Sequence, residues 1–424
     1  MRLNKETFVA GFALFSMIFG AGNLMLPPLL GFKAGDQWLW VTIGFAISAV
    51  LIPLAGIFAH AKLQGSMLDF AKKVSPAFSL VYGLLVYAIS IALPSPRTAS
   101  VTHEMAIRPF FETSAWITSA LYFAFVLLFV LNRSKILSVL GKFLSPIIFV
   151  VILCIICIGI FATEANIVAM DFEKPLIHGL LEGYQTFDAI GAVVVGGVIL
   201  VSLKIKGKND IIKNRNMMIT SGIVAGIGLL VIYTGMIYNG ALFYTQFEPD
   251  VIRTELLSGL SLKALGNIGK VLLSILVGLS CFTTAVGIVT GTSDFIKEIF
   301  GNSQKAYVIT AITGCAFGVL MGQFNVHYII DVAVPSLMLI YPTTIVLIFL
   351  NILPERVTSQ LVFRTVVFVT IIFSIPDFLV SIGFREEMKP LLDLIPLGTY
   401  SLAWLIPAVF SLVFVNIMRL FIKN

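Results

Sequence analysis

The sequence predicts an all-α polytopic membrane protein, and three observations carry the prediction. The 424 residues are 58% hydrophobic and 12% charged, with a mean hydropathy of +1.01; soluble domains carry about 25% charged residues. The apolar residues gather in twelve stretches long enough to cross a bilayer. Two of these, the first and the sixth, are interrupted at mid-span by glycines and polar side chains.

The first stretch covers residues 8–30 and contains Phe19-Gly-Ala-Gly-Asn-Leu-Met-Leu-Pro-Pro28. It is too long for a signal peptide and lacks a small-residue cleavage site, so it is read as a retained span. A membrane helix has no water to satisfy its backbone, so helix breakers at mid-depth need a reason. Glycine relaxes the backbone, and Pro27 and Pro28 lack N–H donors and crowd the preceding carbonyls. The prediction is a helix broken near the bilayer centre. One stump then offers carbonyls, which suit a cation, and the other offers N–H groups, which suit a carboxylate. That arrangement suits transport of a zwitterion or anion coupled to a cation.

The further spans are expected at 39–61, 77–107, 115–132, 137–162, 176–203, 216–243, 267–293, 305–322, 326–353, 362–383 and 398–421. The third carries Pro94, Pro96, Arg97, His103 and Glu104 in its second half. The sixth reads Glu182-Gly-Tyr-Gln-Thr-Phe-Asp-Ala-Ile-Gly-Ala192, with Gln185, Thr186 and Asp188 at membrane depth. Interruptions at corresponding positions point to two five-helix repeats. Because five is odd, the repeats run in opposite senses. Repeat one is placed at 8–162 and repeat two at 176–353, with extra helices over 362–421, all in a single domain spanning 1–424.

Charge sets the orientation. With a cytoplasmic N-terminus, Lys33, Arg97, Arg108, Lys174, Arg253, Lys263, Lys270, Arg385 and Lys389 fall outside, which leaves 19 of the 28 basic residues inside. Both termini and the Lys204–Arg215 loop are therefore expected in the cytoplasm. The net charge of +6 is spread over short loops and is no nucleic-acid footprint. Cys154, Cys157, Cys281 and Cys315 all lie in apolar segments and read as buried small hydrophobes. His60, His103, His178 and His327 sit near span ends in no metal-binding spacing, so interface or loop roles are expected. No Walker, G-x-S-x-G or H-E-x-x-H motif supports an ATP-driven pump or a hydrolase. No cofactor is expected.

Three polar groups at depth are candidates for the chemistry. Thr283 and Thr284, in Ser280-Cys-Phe-Thr-Thr284, can ligate a hard cation or bond back to their own helix. Asp188 can bind a substrate ammonium, relay protons or hold Arg97. Asp331 is placed on an access path, and Asp377, after Pro376, near a helix break outside the core.

These residues resemble a known family. Phe19-Gly-Ala-Gly-Asn-Leu with Pro27-Pro28 and Gly31, Pro96-Arg-Thr-Ala99, Gly183-Tyr-Gln-Thr-Phe-Asp-Ala-Ile-Gly-Ala192, Thr283-Thr-Ala-Val-Gly287 and Tyr341-Pro342 are similar to the branched-chain amino acid:cation symporters of BrnQ type. The resemblance implies a LeuT-type five-plus-five fold in a bacterial cytoplasmic membrane, and uptake of leucine, isoleucine and valine with sodium. It implies that the Ser16, Phe19 and Ser280 carbonyls and the Thr283 and Thr284 hydroxyls hold sodium. It also implies that Gly20, Ala21 and Gly22 present N–H groups to the substrate carboxylate, with Asn23 close by. Tyr184, Thr186 and Asp188 would line the amino-group side. Proton coupling through Asp188 is the alternative within transporters. A channel or receptor is the alternative outside them, although no charged ring or filter loop is present.

Overall fold

The computed structural model describes residues 5–132, 136–162, 167–205 and 210–423. Among them all regular structure is helical. Arg2, Arg133, Lys135, Lys206 and Lys208, which enter the charge asymmetry, lie outside the described residues.

Set against the expected spans, two pieces, α1 (Lys5–Ile18) and α2 (Ala21–Ala34), cover the first. The second joins α3 (Trp38–Ala46) to α4 (Ile52–Leu63) through a π-turn. A short α5 (Met67–Ala71) leads to α6 (Pro76–Ala92) and α7 (Pro94–Val101), the third span, offset at Leu93. The fourth is α8 (Ala115–Leu131), and α9 (Ile136–Val139) with α10 (Ser145–Ala162) forms the fifth. The sixth is α11 (Pro175–Tyr184) followed by α12 (Asp188–Ile205). Then come α13 (Ile211–Leu242), α14 (Arg253–Ile299), α15 (Gln304–Met321) and α16 (Val326–Ile352). The chain closes with α17 (Gln360–Ser381), α18 (Arg385–Leu394) and α19 (Leu405–Lys423). By length and apolarity alone, 8 helical stretches among the described residues can cross a membrane, the first running continuously from α2 through α4 (Gly22–Leu63), or up to 9 when α11 and α12 count as one span.

Helix starts follow from local chemistry. Ser75, Ser114, Asp210, Ser303, Asn325 and Ser359 each accept the backbone N–H three residues on, satisfying a donor that the first turn leaves free.

Lipid is as apolar as a leucine side chain, so close backbone approach holds the bundle together in place of hydrophobic burial. A Cβ on Gly31 of α2 would stand 1.7 Å from the Ile237 carbonyl oxygen, and one on Gly240 of α13 would stand 1.9 Å from that of Pro28. The same reciprocal contact joins α3 and α11, where Gly44 meets Leu176 and Gly179 meets Val41. Any side chain at these four glycines would push a pair of helices apart.

Several expectations are corrected. The 47-residue α14 is two helices joined at Gly266, whose φ of 60° only glycine adopts without strain. Its first part, which falls between the expected spans 216–243 and 267–293, buries Leu256 and Leu260 against Leu29, Phe32 and Leu242. Pro376 does not break its helix: it lies inside α17, and Asp377 is buried and accepts the Ala403 N–H at 3.3 Å. His60 is not at an interface. It is 0% exposed and stacks on Phe70, filling the room left by Gly196. Cys154 and Cys157 are exposed on one face of α10 rather than buried, since a bilayer accepts a small hydrophobe on the outer surface. Asp331 is exposed and lines neither of the vestibules described below.

Candidate functional site

Both sequence interruptions become backbone breaks, and the breaks meet. α1 stops at Ile18, and Gly20 is extended at φ −115°, ψ −161° before α2 begins. α11 and α12 meet at 43°, and Phe187 between them takes a left-handed φ of 65°. The first break falls at Phe19-Gly20 and not at the prolines. Pro27 and Pro28 are carried within α2, where their missing N–H groups leave the Asn23 and Leu24 carbonyls without the usual partner four residues on.

The glycines of the break have specific neighbours. A Cβ on Gly20 would stand 2.9 Å from Thr284 Oγ1, and one on Gly22 would stand 2.7 Å from Arg97 Nη2. Gly-Ala-Gly thus lets two polar side chains from other spans reach the backbone of the break.

Asn23 crosses from the first break to the sixth. Its Nδ2 donates to both oxygens of Asp188, at 2.9 and 2.7 Å, and also to the Tyr233 hydroxyl. Tyr233 donates to Asp188 Oδ2 at 3.0 Å. Asn23 Oδ1 accepts the Gly20 N–H at 3.2 Å. The Gly20 donor, expected to face a carboxylate, is therefore engaged by Asn23, and Ala21 and Gly22 remain as helix-start donors. Thr186 Oγ1 accepts the Asp188 N–H at 3.3 Å and donates to the Gly183 carbonyl at 2.7 Å. The next N–H, of Ala189, donates to the Tyr341 hydroxyl at 3.2 Å.

An Arg97–Asp188 ion pair, one of three readings of that acid, is not formed. Arg97 Nη1 donates instead to the Gln185 carbonyl at 3.2 Å, and the guanidinium lies 5.2 Å from the Phe187 ring centre. Arg253, at the start of α14, donates to Gln185 Oε1 at 3.0 Å and stands 3.9 Å from Glu182.

Oxygen atoms gather beside the first break. Thr283 Oγ1 donates to the Ser16 carbonyl at 2.7 Å and to the Ser280 carbonyl at 3.0 Å, and Thr284 Oγ1 lies 3.5 Å from the same Ser16 oxygen. Four of the five residues expected to hold a cation therefore converge. These uncharged hard oxygens are the donor type that an alkali cation takes. Phe19, expected to offer its carbonyl, follows directly after α1, and its ring is buried between Phe15 and Tyr233. Among the described residues no group of three or more His, Cys, Asp or Glu side chains is placed to bind a metal.

A cavity of about 30 Å³ lies between the breaks, lined by Gly20, Asn23, Arg97, Thr186, Phe187, Asp188 and Thr284 among others. Tyr184 does not line it and packs at a tilt against Tyr341, with ring centres 4.5 Å apart. Larger vestibules flank the cavity. One of about 700 Å³ is lined by Lys33, Glu104, Arg108, Arg253 and His327, from the loops expected outside. The other, of about 350 Å³, is lined by Ser66, Asp294, Lys297 and Gln304, from the opposite end.

Sequence reading gave no site role to Tyr233, Phe187, Tyr341 or Arg253, although Phe187 and Tyr341 lie in the motifs that carry the family resemblance and Tyr233 stands beside Thr234 in the apolar run Leu229–Ile237.

Two broken helices packed across one another inside a bundle of apolar helices define a membrane transporter of LeuT-type fold. The fold is similar to that of a sodium-coupled sialic acid symporter, with a TM-score of 0.66 at 13% identity over 97% of this chain and 90% of that one. It is also similar to MhsT in complex with L-phenylalanine, with a TM-score of 0.57 at 15% identity over 96% and 97% of the two chains. The chain belongs to the family of branched-chain amino acid transport proteins, whose profile matches residues 3–422. It is 31% identical to the branched-chain amino acid permease BraB of Bacillus subtilis, over 99% of this chain and 96% of the relative. It is 30% identical to a putative branched-chain amino acid carrier of Staphylococcus aureus, over 100% and 98%. It is a transporter and not an enzyme.

Proposed function

We propose that the protein imports leucine, isoleucine and valine by symport with sodium, through alternating access. The observation that carries this reading is the shared break. The oxygens of Ser16, Ser280, Thr283 and Thr284 and the Asn23–Asp188 bridge lie on two sides of Gly20. A cation at the first and a zwitterion at the second would each fix the same stretch of backbone, so each favours the other's binding. Asp188 takes the substrate ammonium, and the N–H groups of Ala21 and Gly22 meet the carboxylate. The flanking vestibules support alternating access, with the small cavity widening toward one or the other. Sodium entry supplies ample drive: one charge crossing 100 mV is worth about 2.3 kcal/mol, or roughly 50-fold accumulation.

The architecture proposed with this function is a single domain of twelve spans with inverted repeats at 8–162 and 176–353. The helix pairs support it. α2 of span one locks onto span seven through Gly31 and Gly240, and α11 of span six locks onto span two through Gly44 and Gly179. Exchanging one with six and two with seven turns each contact into the other.

Uptake of labelled leucine into proteoliposomes tests the function. An inward sodium gradient should drive accumulation and an imposed proton gradient should not. Isoleucine and valine should compete, and lysine and glutamate should not, because Asp188 and Arg97, the two charged residues named in the cavity lining, face the ends of the zwitterion and not its side chain. Accumulation driven by protons alone would transfer the coupling role to Asp188.

The bacterial cytoplasmic membrane, with both termini inside, is the proposed setting. In a cysteine-free background, a cysteine at exposed Asn302 should react with an impermeant maleimide only in permeabilised cells. One at exposed Glu112 should react in intact cells. The reverse pattern would invert the orientation.

A further inference from the structure

We propose that Arg97 is the receptor for the substrate carboxylate, a role that rests on the amino acid transport proposed above. The argument starts from an imbalance. Arg97 is 4% exposed, and a charge at membrane depth costs several kcal/mol unless something compensates it. Among the described residues no carboxylate lies within ion-pair distance of it: Arg97 has a single hydrogen bond, to the Gln185 carbonyl, and its Nε is buried without a partner. The Phe187 ring face offers the cation a soft neighbour and no charge.

Asp188 lines the same cavity with the mirror-image problem. It is 2% exposed, and its donors, Asn23 and Tyr233, are both neutral. Two opposite charges in one cavity would normally collapse onto each other. Here Asn23 and Tyr233 hold the acid to one side, while Gln185 and Phe187 hold the guanidinium to the other. The group that completes both is a molecule with an ammonium at one end and a carboxylate at the other. A guanidinium is suited to the second because its planar fork pairs with two carboxylate oxygens at once.

Gly22 gives an independent reason to place the carboxylate here. Arg97 Nη2 fills the space where a Cβ would stand, at 2.7 Å. The guanidinium is thereby pressed against the start of α2, whose free N–H groups point toward the same anion. The fork and the helix start together form one anion pocket. The offset at Leu93-Pro94 in the third span brings the arginine to it.

The test compares leucine with leucinamide, which keeps the ammonium and the side chain and lacks the carboxylate. Binding of both to purified wild-type protein and to Arg97→Gln is measured in saturating sodium. Leucine should weaken about 10- to 100-fold in the variant, the loss expected for charge-assisted hydrogen bonds. Leucinamide should stay within about threefold of its wild-type affinity or bind more tightly, since the variant no longer repels a cation. Arg97→Lys keeps the charge without the fork and should retain more of the preference for leucine than Arg97→Gln. If Arg97 only braces the Gln185 carbonyl, both ligands weaken together and the preference is unchanged, and the proposal is wrong. A wild-type protein that binds neither compound overturns the proposed function, and this role with it.

Discussion

Asp188→Asn is expected to insert, to fold at least as stably as the wild type and to lose leucine affinity by about 10- to 100-fold. The stability half of the prediction follows from the partners of the acid. Its hydrogen bonds come from Asn23 and Tyr233, and among the described residues no cation lies within ion-pair distance. An asparagine amide can keep a bond to Asn23 and another to Tyr233, and it removes a charge that burial penalises. Had Arg97 been the partner, the same change would leave a buried cation alone and destabilise the protein. The affinity half follows from the substrate: an ammonium bonded to an amide oxygen loses the charge assistance that a carboxylate gives. Thermal unfolding and leucine binding on one purified sample separate the two halves. Wild-type leucine affinity in a stable variant would rule out the ammonium role. Loss of pH dependence with binding intact would point to a proton relay instead.

The sequence made the membrane class and the position of the breaks legible because the bilayer imposes a simple rule. Apolar runs mark spans, and Gly20, Gly22, Asn23 and Asp188 stand out against them. The cause of the first break was less legible. Two adjacent prolines read as the breaker, yet α2 runs through both, and the backbone turns at Phe19-Gly20, about two helical turns earlier. Reading Arg97 and Asp188 as a possible pair was reasonable on charge alone. What separates them is Asn23, 165 positions from Asp188, and Tyr233, 45 positions from it. Contacts between spans of that separation leave no period or spacing in the chain. Thr283 and Thr284 show the same limit from the other side. Their hydroxyls were as consistent with helix back-bonding as with a cation site, and Thr283 in fact bonds both its own helix and Ser16. The helix before Gly266 escaped notice because its leucines are interleaved with glycine, serine and lysine, a pattern that also fits a loop.

The double change Thr283→Ala with Thr284→Ala should raise the sodium concentration for half-maximal leucine uptake about tenfold or more. The two hydroxyls converge on the Ser16 carbonyl at the end of α1, with the Ser280 carbonyl completing the group. Removing them leaves only backbone carbonyls, too few for a hard cation that prefers several oxygens. Leucine affinity in saturating sodium should change little, because Asp188, Asn23 and the start of α2 are untouched. That split, a shift in sodium dependence with substrate affinity kept, marks a cation ligand and not a general distortion. Some stability will be lost, since the Ser16 carbonyl loses its donor from Thr283, at a cost of about 1–3 kcal/mol for an unsatisfied buried group. Thr283→Ser with Thr284→Ser serves as the control: it keeps both oxygens, drops two methyl groups and should restore the wild-type sodium curve. If the alanine variant folds and its sodium dependence matches the wild type, the hydroxyls serve only to tie α14 to α1, and the cation must be held elsewhere.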